Sequence, residues 1–136
     1  DVVIGPFWLF SRAYLIPPKQ LLRSQLVRHL DLNDQRDTLC QKKFTAQLAQ
    51  LPGNCILELQ SVRKSLWLPA WPQCLDGFRI GHISDLHFTG QLATSFYRQA
   101  LDELLSMRPD MIVITGDIID KSKCMPWIEE LLGSLK

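Results

Sequence analysis

Long apolar runs, paired cysteines and a surplus of either charge are all missing from this 136-residue chain, and each absence removes a class of protein. The longest uncharged opening, residues 2–11, holds ten residues and includes Pro6, against the ~20 apolar residues that a membrane-spanning helix needs. No segment is therefore expected to cross a bilayer. Fifteen basic residues meet fourteen acidic ones, for a net charge of +1. Such a balance gives no field to draw the chain onto nucleic acid, and no nucleic-acid partner is expected. The four cysteines stand at 40, 55, 74 and 124 with no C-x-x-C pair, which suits neither a zinc site nor a disulfide framework. They read as free thiols of a reducing compartment, hence a cytoplasmic protein with or without membrane association. The opening lacks the basic leader and cleavage site of a secretory signal, and it begins at Asp1, so the natural start is expected upstream. Histidine is scarce, at 29, 82 and 87 only, and asparagine occurs only at 33 and 54.

What remains is 46% hydrophobic and 21% charged, the composition of an ordinary globular unit. The charges are not evenly spread. Residues 1–68 carry nine basic and five acidic side chains, and residues 69–136 carry six and nine. The acids thus gather in the second half.

Residues 1–18 are apolar and aromatic (Phe7, Trp8, Phe10, Tyr14), and Pro17-Pro18 closes them off. Leu22, Leu26 and Leu30 then recur every four residues with Lys19, Arg23 and Arg28 elsewhere, which predicts a basic amphipathic helix. A second helix is expected through Leu39/Cys40, Phe44, Leu48 and Leu51, capped by Asn33 or Asp34 and ended by Pro52-Gly53. Residues 1–53 therefore read as an amino-terminal helical segment. Its basic face is either solvated or a peripheral membrane contact through residues 7–30. His29 is expected to be exposed on it.

From residue 54 the pattern changes. Cys55, Leu57, Leu59 and Ser61 alternate with Ile56, Glu58 and Gln60 as in a strand, and a loop of Trp and Pro spans residues 67–72. Residues 78–84 read as a second, buried strand, 93–107 as a helix, 111–115 as a third, β-branched strand, and 125–132 as the start of another helix. Strand, helix, strand makes a parallel βαβ unit with a right-handed crossover. Trp67, Trp71 and Trp127 read as packing or loop anchors.

Reactive groups of open α/β sheets collect where parallel strands end. One such end reads Ser84-Asp85-Leu86-His87 and the other Thr115-Gly116-Asp117-Ile118-Ile119-Asp120. In extended chain Asp85 and His87 project to one side, with Asp117 emerging beside them if the strands are neighbours. Two carboxylates and an imidazole suit a divalent transition metal, and a shared carboxylate can bridge two ions that activate a water and clamp a phosphoryl group. Gly116 lets the backbone turn sharply there. His82 falls on the opposite strand face and is expected to be a hydrogen-bonded core residue. Lys121 and Lys123 are candidates for contact with a substrate phosphate.

These two motifs resemble the calcineurin-like metallophosphoesterases: Asp-x-His after an apolar strand matches residues 85–87, and Gly-Asp-x-x-Asp matches residues 116–120. The lead-in over residues 68–80 is similar to that of bacterial members of the YkuE/YaeI type. The resemblance covers roughly residues 55–136, and residues 54–136 are expected to form a partial domain of that family. It implies an α/β fold, the amino-terminal half of a four-layer αββα metallophosphoesterase sandwich preceded by a helical segment. It also implies two divalent metal ions (Mn, Fe or Zn) and hydrolysis of phosphomonoesters or phosphodiesters. Asp85 and His87 would hold the first ion, Asp117 would bridge both, and Asp120 would support the site from behind. The family's third motif, Gly-Asn-His-Asp/Glu, and its later histidines have no counterpart, because no Asn or His follows residue 87. At most one weakly bound ion and no turnover are therefore expected of these 136 residues. A non-catalytic phosphoesterase-like protein-binding module and a peripheral enzyme acting on lipid headgroups are the competing readings.

Overall fold

The structure, a computed structural model, describes residues 21–133 and 135. Expectations for residues 1–20, including the amino-terminal part of the membrane contact, lie outside the described residues. Among the described residues four strands and four α-helices follow in the order β1 (Leu22–Asp31), α1 (Arg36–Leu39), α2 (Lys43–Leu48), β2 (Glu58–Leu66), β3 (Ile80–Ser84), α3 (Thr94–Ser106), β4 (Met111–Thr115) and α4 (Pro126–Leu132). Two separate two-stranded sheets result, β1 antiparallel to β2 and β3 parallel to β4. The fold is α/β, as the sequence implied.

The helix expected through Leu22, Leu26 and Leu30 is not there. That stretch is β1, paired residue by residue with β2, from Asp31 opposite Glu58 to Leu22 opposite Leu66, with one irregularity at Arg23. The physical reason lies in the spacing: a step of four residues returns to the same side of a helix and also to the same side of a strand, whose side chains alternate. Pairing with β2 decides between them. β1 stops where the Asp31 carboxylate accepts hydrogen bonds from the Asn33 backbone N–H (2.9 Å) and side-chain amide (2.6 Å), a turn that Asp and Asn favour.

The second expected helix is broken in two. Cys40 is extended (φ −94°, ψ 121°) and bridges Leu92, with the Ala93 N–H donating to the Leu39 carbonyl at 2.7 Å. A tertiary strand contact therefore interrupts the helical run between Leu39 and Phe44, and Phe44 is exposed. Neither Asn33 nor Asp34 caps a helix through its side chain.

The β3–α3–β4 unit follows its expected bounds closely. Phe96, Tyr97, Ala100, Leu101 and Leu104 recur at helical spacing, and Tyr97 and Leu101 are buried. α3 ends where Arg108 takes a left-handed conformation (φ 51°) before Pro109. The Arg79 guanidinium reaches the freed carbonyls of Met107 and Arg108 at 3.4 Å, while the Asp110 carboxylate accepts the Arg79 backbone N–H at 2.7 Å. Those contacts tie the start of β3 to the end of α3. Gly81 lets Leu104 lie close against the sheet, since a Cβ there would stand 3.1 Å from Leu104 and 3.2 Å from Pro109.

The strands are less buried than expected. Ile80 is 53% and Met111 45% exposed; Leu104 of α3 lies against Gly81, and Ile80 and His82, on the other face of β3, are exposed. The core lies beneath the loops instead: Leu32, Leu39, Leu57, Phe88, Leu92, Tyr97, Leu101, Cys124 and Leu131 pack together. All four cysteines are free, Cys40 and Cys124 buried, Cys55 and Cys74 exposed.

Candidate metal centre

The chain does not leave β3 as an extended strand. Asp85 (φ 53°) and His87 (φ 44°) both take left-handed backbone conformations, which cost a non-glycine residue on the order of 1 kcal/mol or more each. The simple same-side projection expected of Asp85 and His87 is thus replaced by a twisted loop. Backbone hydrogen bonds hold that loop. Asp85 N–H donates to the Thr115 carbonyl (3.1 Å), His87 N–H to that of Asp117 (3.0 Å) and Phe88 N–H to that of Ile118 (2.8 Å). The Phe88 carbonyl in turn accepts from Lys121 N–H at 3.3 Å. The two loops therefore run side by side past the strand ends, and Phe88 bridges Ile119 as a further parallel pair.

Phe88 fixes the height of this platform. Its ring is fully buried, edge-on to Tyr97 (4.7 Å between centroids) and to Trp127 (5.7 Å). Burial of such a ring contributes about 2–3 kcal/mol. Sequence reasoning passed over Phe88, although an aromatic residue directly after Asp-x-His was a visible signal. Trp127 packs as expected and Trp71 anchors its loop by donating its indole N–H to the Leu75 carbonyl, while Trp67 is about half exposed.

On this platform His87 Nδ1 lies 2.9 Å from Asp120 Oδ1. That hydrogen bond is the largest influence raising the His87 pKa above its ordinary value. The charges of Asp120, Asp117 and Asp85 also raise it, while partial burial opposes them. One imidazole thus feels all three carboxylates. With Asp120 accepting from Nδ1–H, Nε2 is left as the nitrogen able to bind an ion. The Asp85 carboxylate lies directly over Gly116 (φ 75°): a Cβ there would stand 2.7 Å from its Cγ and closer still to Oδ1. Gly116 is therefore required twice, for its backbone angle and for room.

The donor chemistry of Asp85, His87, Asp117 and Asp120 suits a divalent ion. Their placement is open, since no three His, Cys, Asp or Glu side chains among the described residues form a group that could hold a metal. His82 is exposed rather than in the core, with Nε2 2.7 Å from Thr115 Oγ1 across the two strands. The reason is that its face of the sheet carries no covering element among the described residues. Lys121 and Lys123 are exposed, and the Lys123 ammonium lies beside Gly90, 2.8 Å from where a Cβ would be.

Residues 78–136 match the calcineurin-like phosphoesterase family. Over 49 residues the chain is 41% identical to the UDP-2,3-diacylglucosamine pyrophosphatase LpxG of Chlamydia muridarum, a match covering 36% of this chain and 15% of that protein. No solved structure matches the chain.

Proposed function

We propose, from the match of residues 78–136 to the calcineurin-like phosphoesterase family, that this chain supplies the first part of a divalent-metal centre that hydrolyses phosphoesters. The observation that carries this reading is the side-by-side course of the two strand-end loops, which brings His87 Nδ1 to 2.9 Å from Asp120 Oδ1 and seats the Asp85 carboxylate over Gly116. Asp85 and His87 Nε2 would hold one ion, with Asp117 shared with a second, the ions being Mn, Fe or Zn. A divalent ion there supplies a Lewis acid for phosphoryl oxygens and activates a water.

The chain's own residues do the rest. Asp120 holds the His87 ring by its Nδ1 proton and so aims Nε2. Gly116 leaves the space that the Asp85 carboxylate fills. Lys121 and Lys123, directly after Asp120, would bring positive charge to the phosphate. Unneutralised, the carboxylates of Asp85, Asp117 and Asp120 would repel a phosphate dianion, a charge that a bound divalent cation would offset. The likeness to a pyrophosphatase acting on a diacylated sugar nucleotide supports phosphoanhydrides of lipid-bearing molecules as a substrate class beside simple esters. The chain spans 15% of that relative, and the activity is that of the assembled enzyme.

Calorimetric titration of the 136-residue chain with manganese tests the assignment. One weak site is expected, without turnover of a bis-aryl phosphate. Asp120→Ala, which unties His87, should weaken binding about 10- to 100-fold; Asp85→Ala, His87→Ala and Asp117→Asn should weaken it at least as much. His82→Ala should lose about 1 kcal/mol of stability through its bond to Thr115 and leave metal stoichiometry alone. Parent-like affinity in Asp117→Asn would remove the shared-ligand role.

A further inference from the structure

The far end of the β1–β2 ribbon has no place in the phosphoesterase reading. Every residue from 22 to 29 and from 62 to 71 is exposed. Among them Leu22, Leu26, Leu66, Trp67, Leu68 and Trp71 gather at or near the end where Leu22 opposes Leu66 and Trp67 N–H donates to the Leu21 carbonyl at 2.7 Å. Trp67 is 48% and Trp71 44% exposed, and the Trp71 indole is oriented by a hydrogen bond to the Leu75 carbonyl at 3.1 Å. Two uncovered tryptophans beside four uncovered leucines are more than scattered surface apolar residues.

The charges of the ribbon are sorted along its length. Its two acids, Asp31 and Glu58, oppose each other at the end next to the core. At the far end stand Arg23, Arg63 and Lys64, and no acid occurs in residues 22–30 or 59–75. Arg63 opposes Leu26 and Lys64 opposes Gln25, so base is presented on both faces of the ribbon. Arg28, further in, is turned to Glu103 of α3 (3.3 Å) and is not counted. An apolar, tryptophan-bearing tip inside a basic collar is complementary to a surface that is negative outside and apolar beneath. That describes an anionic lipid bilayer, in whose interface tryptophan is favoured. The chain also reaches this same end, at Leu21, from the aromatic residues Phe7, Trp8, Phe10 and Tyr14 of a stretch uncharged from 2 to 11.

We propose that the far end of the β1–β2 ribbon docks on an anionic membrane surface, with Leu22, Leu66, Trp67, Leu68 and Trp71 entering the interface and Arg23, Arg63 and Lys64 facing the headgroups. This surface is not the basic helix expected over residues 7–30 but a strand ribbon, and it stands whether or not the chain is a phosphoesterase.

The full chain should co-sediment with vesicles of phosphatidylcholine and phosphatidylglycerol, far less with phosphatidylcholine alone, and less as salt rises. The triple substitution Arg23→Ala, Arg63→Ala, Lys64→Ala should lower the partition coefficient about 100-fold, from roughly 1 kcal/mol for each base near the surface. Trp67→Ser with Trp71→Ser should also lower it, and brominated acyl chains should quench less fluorescence than in the parent. Circular dichroism and manganese affinity should be unchanged in both variants, which separates this docking from the metal site. Three outcomes overturn the proposal: parent-like partition in the triple variant, equal binding to both vesicles, or a chain left in the supernatant. In that last case, a dimer mass would name a second copy as the cover of the tip, and a monomer mass residues 1–20.

Discussion

The ribbon β1–β2 has strands of ten and nine residues and the β3–β4 pair has strands of five, yet the short pair carries the organised site and the long one stands largely in solvent. The difference lies in what each packs against. The ribbon meets the core near its base, at Leu32 and Leu57, and meets α3 through β2 and through the Arg28–Glu103 pair. The short pair has Leu104 of α3 against Gly81 and continues into loops seated on Phe88, Tyr97 and Trp127. Length of a hydrogen-bond ladder thus says little about rigidity, because exchanging water for backbone partners yields a small net gain, whereas buried apolar area yields a large one.

Removing the Phe88 ring is the most severe way to break this contrast. Phe88→Ala should cost about 3–5 kcal/mol, a large fraction of the ~5–15 kcal/mol that holds an ordinary domain folded. Val62→Ala on the exposed ribbon should fall within about 0.5 kcal/mol. Urea titrations of the two variants measure both, and equal losses would erase the distinction.

An alkaline scan comes next in size. Burial, followed by the charges of Cys124 and Asp120, pushes the Tyr97 pKa up to about 12. Its folded value lies above the ordinary 10 of an unfolded tyrosine. The neutral phenol therefore supports the fold fully below pH ~10, and that support, about 2–3 kcal/mol, is lost as pH climbs through about 12. Tyr97→Phe should flatten the fall in stability over this window.

The smallest expected effect tests how loosely the two regions are joined. Glu103→Gln removes an ion pair whose arginine side is 65% exposed, so global stability should change by under about 1 kcal/mol. Hydrogen exchange should nonetheless quicken in the ribbon and stay unchanged in β3 and β4. Uniform quickening would mean that the regions open together.

The β3–α3–β4 unit was legible within two residues at each end because its signals agree. Residues 111–115 are apolar and largely β-branched, residues 94–106 have helical period, and Arg108-Pro109 stops the helix. Residues 22–51 were misread because there the local signal admits two answers. Leucines four apart satisfy helix and strand alike, and nothing near Cys40 announces its bridge to Leu92, which is 52 residues distant. At the site, the two motifs and Gly116 could be named from sequence, while the left-handed turns of Asp85 and His87 could not, since φ is imposed there by hydrogen bonds to Thr115 and Asp117.

By itself, then, the sequence determined which residue types stand at the two strand ends, which stretch is α/β, and which family model residues 78–136 match. Those properties are local, fixed by side-chain chemistry and by periods of two and 3.6. Only the tertiary structure decided that residues 22–31 are a strand, that Phe88 carries the site, and that the basic residues of the ribbon collect at one end with its tryptophans. Each of these depends on a partner dozens of residues away, and a pairing across such a distance is selected by the area it buries and the hydrogen bonds it closes, neither of which a single segment contains.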